Sequence, residues 1–251
     1  GPQRGADLRY EVTLTFEEAV FGCEKELEIP RWEACTECRG SGAEQGNQPV
    51  RCPKCNGTGE VRHAQQSIFG QFVNISTCDR CQGEGSILTA PCRSCQGSGR
   101  VRRSRRVAIT VPAGVEDGQQ IRLTGEGEMG QRGGPRGNLY VHLTVKPHPF
   151  FKRQGNDLTC EVPINFVQAA LGDVIEVPTI DGSKASLSIP PGTQSGTTFR
   201  VKGKGVPYLG TGGRGDQHVR IKVEIPKNLT EEQRDLLKQL AKTFGIAVQQ
   251  P

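Results

Sequence analysis

Residues 109–127, ITVPAGVEDGQQIRLTGEG, and residues 187–205, LSIPPGTQSGTTFRVKGKG, carry one pattern twice. Pro112/Pro190, Gly114/Gly192, Gly118/Gly196, Arg122/Arg200, Gly125/Gly203 and Gly127/Gly205 all stand 78 residues apart, and the offset persists to Gly137/Gly215 and Val141/Val219. An internal repeat sets the architecture before any single element does. Upstream, DLRYEVTLTFEEAVFG at 7–22 matches DLTCEVPINFVQAALG at 157–172 at an offset of 150, and LEIP at 27–30 matches IEVP at 175–178 at 148. The offset then falls from 148 to 78, so the first copy holds about 70 extra residues between Pro30 and Ile109. Eight of the ten cysteines lie in that interval. A cysteine module is therefore inserted into the first of two duplicated domains.

Each copy reads as β. Tyr10, Val12 and Leu14, and again Val141, Leu143 and Val145, alternate with the period of two of a strand buried on one face. The 33 glycines and 16 prolines among 251 residues favour many turns and short strands. Short helical turns are expected at 17–21 and 167–171, stopped by Gly22 and Gly172. Thr230 with Gln233 forms a capping-box pattern, after which Leu236, Leu237, Leu240 and Phe244 share one helical face up to Gly245. So short a helix is marginal alone, and its apolar face must dock on its own domain or on a second chain. The expected fold is mainly β. It comprises a first β-rich domain at 7–34 plus 101–150, a cysteine module at 35–100, a second β-rich domain at 151–226, and a C-terminal helix and tail at 227–251.

No apolar run approaches the roughly 18 residues of a membrane span, and the first residues, GPQRGADLRY, lack the apolar core of a secretion signal. These features lead to the expectation of a soluble, cytoplasmic protein with no membrane partner. In that setting clustered Cys pairs point to metal rather than to disulfides.

Those eight cysteines fall in four C-x-x-C-x-G-x-G motifs: CTECRGSG at 35–42, CPKCNGTG at 52–59, CDRCQGEG at 78–85 and CRSCQGSG at 92–99. Two thiolates three residues apart bend round one ion, glycines allow the turns that aim them inward, and tetrahedral zinc needs two such pairs. Four pairs make two sites. An inserted module must start and finish close together to re-enter its parent sheet, so motif one should meet motif four and motif two should meet motif three. The expected ligands are Cys35, Cys38, Cys92 and Cys95 for one Zn2+, and Cys52, Cys55, Cys78 and Cys81 for a second.

A closed four-thiolate site has no open position for catalysis, so no enzymatic activity is expected from it. Two alternatives stay open: a thiol-disulfide oxidoreductase using a C-x-x-C pair, and a nucleic-acid-binding zinc protein. Charge argues against nucleic acid. Residues 35–100 hold seven Lys/Arg and five acids, and two zinc-tetrathiolate centres of −2 each leave the module at −2. The run Arg100, Arg102, Arg103, Arg105 and Arg106 reads as a solvated strand edge whose like charges discourage pairing.

Four such motifs inserted in the first of two similar β domains, with GEGE at 125–128, GNLYV at 137–141 and a terminal helix, resemble the class A Hsp40 (DnaJ) co-chaperones from Asp7 to Gly245. The family's N-terminal J domain and its His-Pro-Asp tripeptide have no match here, since His148-Pro149 is followed by Phe150. The resemblance implies a client-binding fragment. It would hold exposed apolar segments of unfolded polypeptides, prevent their aggregation and, in the full-length protein, deliver them to an Hsp70 (DnaK-type) chaperone engaged mainly through the J domain. It also implies a groove on the first β domain where a client strand adds to a sheet edge and drops a side chain into a pocket at Val12, Leu27, Ile29, Val107 and Val141. Those residues read equally as plain core. Finally, it implies a homodimer joined through the terminal helix at Leu236, Leu237, Leu240 and Phe244.

Overall fold

A computed structural model describes residues 1–67 and 70–249. The chain is mainly β. The first copy opens with β1 (Leu8–Leu14), α1 (Phe16–Phe21) and β2 (Cys23–Ala34). Inside the cysteine module lie β3 (Val50–Arg51), β4 (Glu60–Ser67), β5 (Gly70–Thr77) and β6 (Ser86–Ile87). The first copy resumes with β7 (Arg100–Val111), β8 (Gln120–Leu123) and β9 (Leu139–Val145). The second copy runs through β10 (Lys152–Gln154), β11 (Asp157–Asn165), α2 (Phe166–Leu171), β12 (Asp173–Pro178), β13 (Lys184–Ile189), β14 (Thr198–Val201) and β15 (Gln217–Glu224), and α3 (Glu231–Thr243) follows.

The repeat read in sequence is a repeat of topology. The sheet order β1-β9-β8 in the first copy corresponds to β11-β15-β14 in the second, and the ribbon β2-β7 corresponds to β12-β13. Pairing of β11 with β15 is parallel, from Leu158 against Gln217 to Asn165 against Glu224, whereas β14 and β10 join the same sheet antiparallel. Matching glycines make matching bonds. Gly118 N–H donates to Leu143 O at 2.9 Å and Gly196 N–H to Ile221 O at 2.7 Å. Gly125 N–H donates to Asn138 Oδ1 at 3.2 Å and Gly203 N–H to Asp216 Oδ1 at 2.7 Å.

Both short helices persist because both ends are closed. Thr15 Oγ1 accepts from Glu18 N while Glu18 Oε2 accepts from Thr15 N, and Asn165 and Gln168 repeat the reciprocal box. Gly22 (φ 77°) and Gly172 (φ 82°) then turn the chain out of the helix. At Gly22 a Cβ would also lie 2.7 Å from Val111 O, so the position excludes a side chain twice over.

Two compact units divide the chain: Gly1–Val12 with Glu24–Ile109 and Gln120–His142, and Thr13–Cys23 with Thr110–Gln119 and everything from Leu143 onward. The line differs from the repeat boundary. Phe16 and Val20 of α1 pack into the core of the second unit, with Phe151, Leu158, Val219 and Ile221. Fully buried side chains such as Leu158, Val219 and Ile221 each contribute roughly 1.5–3 kcal/mol of transfer free energy. In the first unit the buried apolar strand residues, among those described, are Val12, Leu27, Ile29, Val107, Ile109, Leu139 and Val141. α3 starts at a Thr230–Gln233 capping box, and none of its residues is buried. No described helix is long and apolar enough to cross a membrane.

Candidate functional site

In each C-x-x-C-x-G-x-G motif the residue after the second cysteine takes a left-handed conformation: Arg39 at φ 52°, Asn56 at 49°, Gln82 at 50° and Gln96 at 52°. This hooks the chain back so that a backbone N–H points at the second thiol. Gly42, Gly59 and Gly85 donate to Cys38, Cys55 and Cys81 Sγ at 3.3 Å, and Gly99 donates to Cys95 Sγ at 3.2 Å. Such bonds favour the thiolate form.

The motifs meet in reciprocal pairs. Cys35 N–H donates to Gly99 O and Cys92 N–H to Gly42 O, which joins motif one to motif four; Cys52 N–H to Gly85 O and Cys78 N–H to Gly59 O join motif two to motif three. A Cβ on Gly42 would stand 2.3 Å from Gly97 O, and one on Gly99 would stand 2.5 Å from Gly40 O. The second glycine of each motif is thus the place where two backbones touch.

The result is two buried thiol clusters, Cys35/Cys38/Cys92/Cys95 and Cys52/Cys55/Cys78/Cys81, each with all four Sγ atoms within 4.8 Å of one another. Across the joined motifs the Sγ···Sγ separations are 3.9 Å (Cys35–Cys92), 3.6 Å (Cys38–Cys95), 3.9 Å (Cys52–Cys78) and 3.6 Å (Cys55–Cys81). Tetrahedral Zn–S bonds of about 2.3 Å require an S···S edge of about 3.8 Å, so the donor set fits a zinc ion. Charge says the same. The backbone N–H of Cys38 pulls the Cys35 thiol down to about 6 against its burial. Burial works against the Cys55 thiolate, yet bonds from Gly59 and Cys81 bring that thiol to about 6. Burial pushes Cys81 up to about 11, and Cys92 rises to about 11 because burial and the neighbouring Cys95 and Cys35 outweigh the N–H of Cys95. Four thiolates this close repel one another, and a divalent cation at their centre removes that conflict. Two such clusters can bind two ions, with no fourth position left for a substrate.

The five expected groove residues lie on β1, β2, β7 and β9 of the first unit, and all are buried: Val12 and Leu27 6% exposed, Ile29 2%, Val107 8% and Val141 0%. Among the described residues β2 and β7 pair only with each other, leaving both outer edges of the ribbon unpaired. The four helix residues differ. Leu236, Leu240 and Phe244 are exposed, Leu237 is half-buried, and Ile246 and Val248 prolong the apolar surface.

One cluster escaped sequence reasoning. Arg31, on the buried face of β2, is 5% exposed and donates to Glu33 Oε1 at 2.6 Å and Glu126 Oε2 at 2.6 Å. Arg136 donates to the other oxygen of Glu33 at 2.7 Å, and Glu128 Oε2 accepts the Trp32 N–H at 2.7 Å. Burial works against the Arg31 charge, but Glu126 and Glu33 outweigh it and hold its pKa above the ordinary value. Both acids of the GEGE block thus fasten the far end of β2, and the Glu128 carboxylate closes that stretch of the strand's outer edge. The free edge is left beside Leu27 and Ile29.

The family model described as the DnaJ C-terminal domain matches residues 8–226. The chain is 54% identical over 248 residues to a protein named Chaperone protein DnaJ from Acetivibrio thermocellus, covering 99% of this chain and 64% of that one. It is 57% identical over 239 residues to the protein of that name from a Roseiflexus species, covering 95% of this chain and 64% of that one. A third, from Geobacillus kaustophilus, is 53% identical over 245 residues, with 98% and 64% covered. The chain therefore spans 64% of the length of these relatives. The joined cysteine motifs, the duplicated sheets and a match running from β1 through β15 place this chain in the DnaJ C-terminal domain family.

Proposed function

We propose that this chain is the client-binding part of a DnaJ-type co-chaperone. It holds exposed apolar segments of unfolded polypeptides, prevents their aggregation and, within the longer protein, passes them to an Hsp70. The observation that carries this reading is the β2–β7 ribbon of a DnaJ C-terminal domain, whose edge is open beside the apolar residues Leu27, Ile29 and Val107. Strand addition suits unfolded chains because backbone bonding tolerates any sequence, while a shallow apolar contact selects aliphatic or aromatic groups.

The two cysteine clusters would hold one Zn2+ each and act structurally. Residues 35–100 contain few large apolar groups, so coordination would be their main source of order. That makes 35–100 a module distinct from the flanking β domains. Ligand thiols that must stay reduced suit a cytoplasmic setting. Leu236, Leu240 and Phe244 of α3, with Leu237 beside them, would meet their equivalents on a second copy. Two joined binding sites raise the effective concentration for one long client.

The test is suppression of aggregation of a chemically denatured client by the zinc-loaded chain, before and after its accessible thiols are blocked. Equal protection in both states is expected for binding. Protection that vanishes on blocking would assign the activity to thiol-disulfide exchange instead.

A further inference from the structure

β7 carries a run of exposed arginines, and the inference drawn from them rests on the client-binding reading. Arg102, Arg103, Arg105 and Arg106 lie exposed on one strand of the open ribbon, immediately before Val107. Only one of the four has an acidic partner among the described ion pairs, Arg106 with Glu28 at 3.2 Å. Arg103 reaches only the Thr36 hydroxyl at 3.3 Å, and the neighbouring Arg100 stacks over Trp32 at 5.1 Å. Three guanidinium groups thus stand without an acidic partner among the described ion pairs on the second strand of the ribbon, Arg103 and Arg105 on the face of Val107 and Arg102 on the opposite face. Elsewhere in the same unit Lys54, Arg93 and Arg132 pair with Asp79, Glu44 and Glu84, while Arg9, Arg39, Arg51, Arg62 and Arg80 have no acid among the described ion pairs, so what sets β7 apart is the density of its arginines.

A strand so charged repels a basic segment, leaves a neutral one unaffected and attracts an acidic one. Opposite charges facing each other across a strand pair are favourable and like charges are not, while the summed field steers an anionic segment to the edge. We propose that Arg102, Arg103 and Arg105 make the ribbon selective for extended polypeptide segments that carry Asp or Glu next to their apolar residues. The partner is an acidic-flanked client segment, held by backbone bonding, an apolar contact and two or three guanidinium–carboxylate pairs.

The test uses three fluorescent peptides with one apolar core, Ala-Leu-Phe-Ile-Leu, flanked on both sides by Asp-Asp, Ser-Ser or Lys-Lys, and titrated with the zinc-loaded chain. The acidic peptide should bind on the order of tenfold more tightly than the serine peptide at low salt, and this gain should fade at 0.5 M NaCl, roughly where screening acts within a few ångströms. The triple change Arg102→Gln, Arg103→Gln, Arg105→Gln should abolish the gain and leave the serine peptide's affinity and the zinc content unchanged. Arg102→Lys, Arg103→Lys, Arg105→Lys should retain most of it. Equal affinities for the three peptides would overturn this inference alone, whereas failure of all three to bind would overturn client capture and the inference with it. A single-stranded dT oligomer binding more tightly than the acidic peptide would overturn it in favour of a nucleic-acid edge.

Discussion

At the scale of single residues, the glycines of the cysteine motifs do more than allow a turn. Gly42 combines φ 75° with a Cβ position 2.3 Å from Gly97 O, on the partner motif. Gly42→Ala adds left-handed strain on the order of 1–2 kcal/mol and forces the two backbones apart. Metal analysis of that variant is expected to find about one zinc per chain in place of two, with Cys52, Cys55, Cys78 and Cys81 still loaded. Two zincs retained would contradict the backbone-contact argument. A second residue-scale expectation concerns acid. Lys204, Ser183 and Thr179 hold the Asp181 carboxyl well below the usual range. A depressed folded-state pKa stabilises the protein above the unfolded value, near 3.9, and the benefit is lost as pH falls through the folded value. Urea titrations should therefore show Asp181→Asn less stable than the parent at pH 6, with the difference shrinking as pH drops below about 4; a gap that widens on acidification would refute it. The motif glycines were legible in sequence because they recur at fixed spacing. The Arg31–Glu126 pair was not, because two side chains 95 residues apart leave no periodic trace.

At the scale of elements, α1 and α2 could be read from the residues that stop them, and the boundary differs from the expected start by one residue because Thr15 and Asn165 cap the turn. The ribbon β2–β7 was harder. Leu27 and Ile29 face inward on β2, but the same alternation carries Arg31 inward as well, where Glu33 on its own strand and the distant Glu126 make it tolerable. The expectation of a groove at Val12, Leu27, Ile29, Val107 and Val141 rests on family resemblance alone, since burial makes groove and core alike to a periodicity argument. α3 presents the opposite case. Its stripe stands in water, with Leu236 58% and Phe244 70% exposed, and a 13-residue helix has little stability of its own. Removing everything after Lys227 is expected to leave a folded monomer, while the full chain sediments as a dimer at micromolar concentration. Sedimentation of both species as monomers would mean that α3 is not the joint.

At the scale of the molecule, the repeat and its insertion were both visible as offsets, 150, 148 and then 78, because duplication preserves spacing even where side chains diverge. The division into compact units was not visible. It follows from Phe16 and Val20, residues of the first copy whose side chains complete a core built mainly from the second, and no repeat alignment reports where a side chain packs. The proposed function puts a client against the first copy. The most direct measurement is a crystal structure of the zinc-loaded chain with a bound apolar peptide. The peptide should lie as an added strand on the free edge of the β2–β7 ribbon, with one apolar side chain against Leu27, Ile29 and Val107. A peptide seated instead on the cysteine module, or on the second copy alone, would contradict the account.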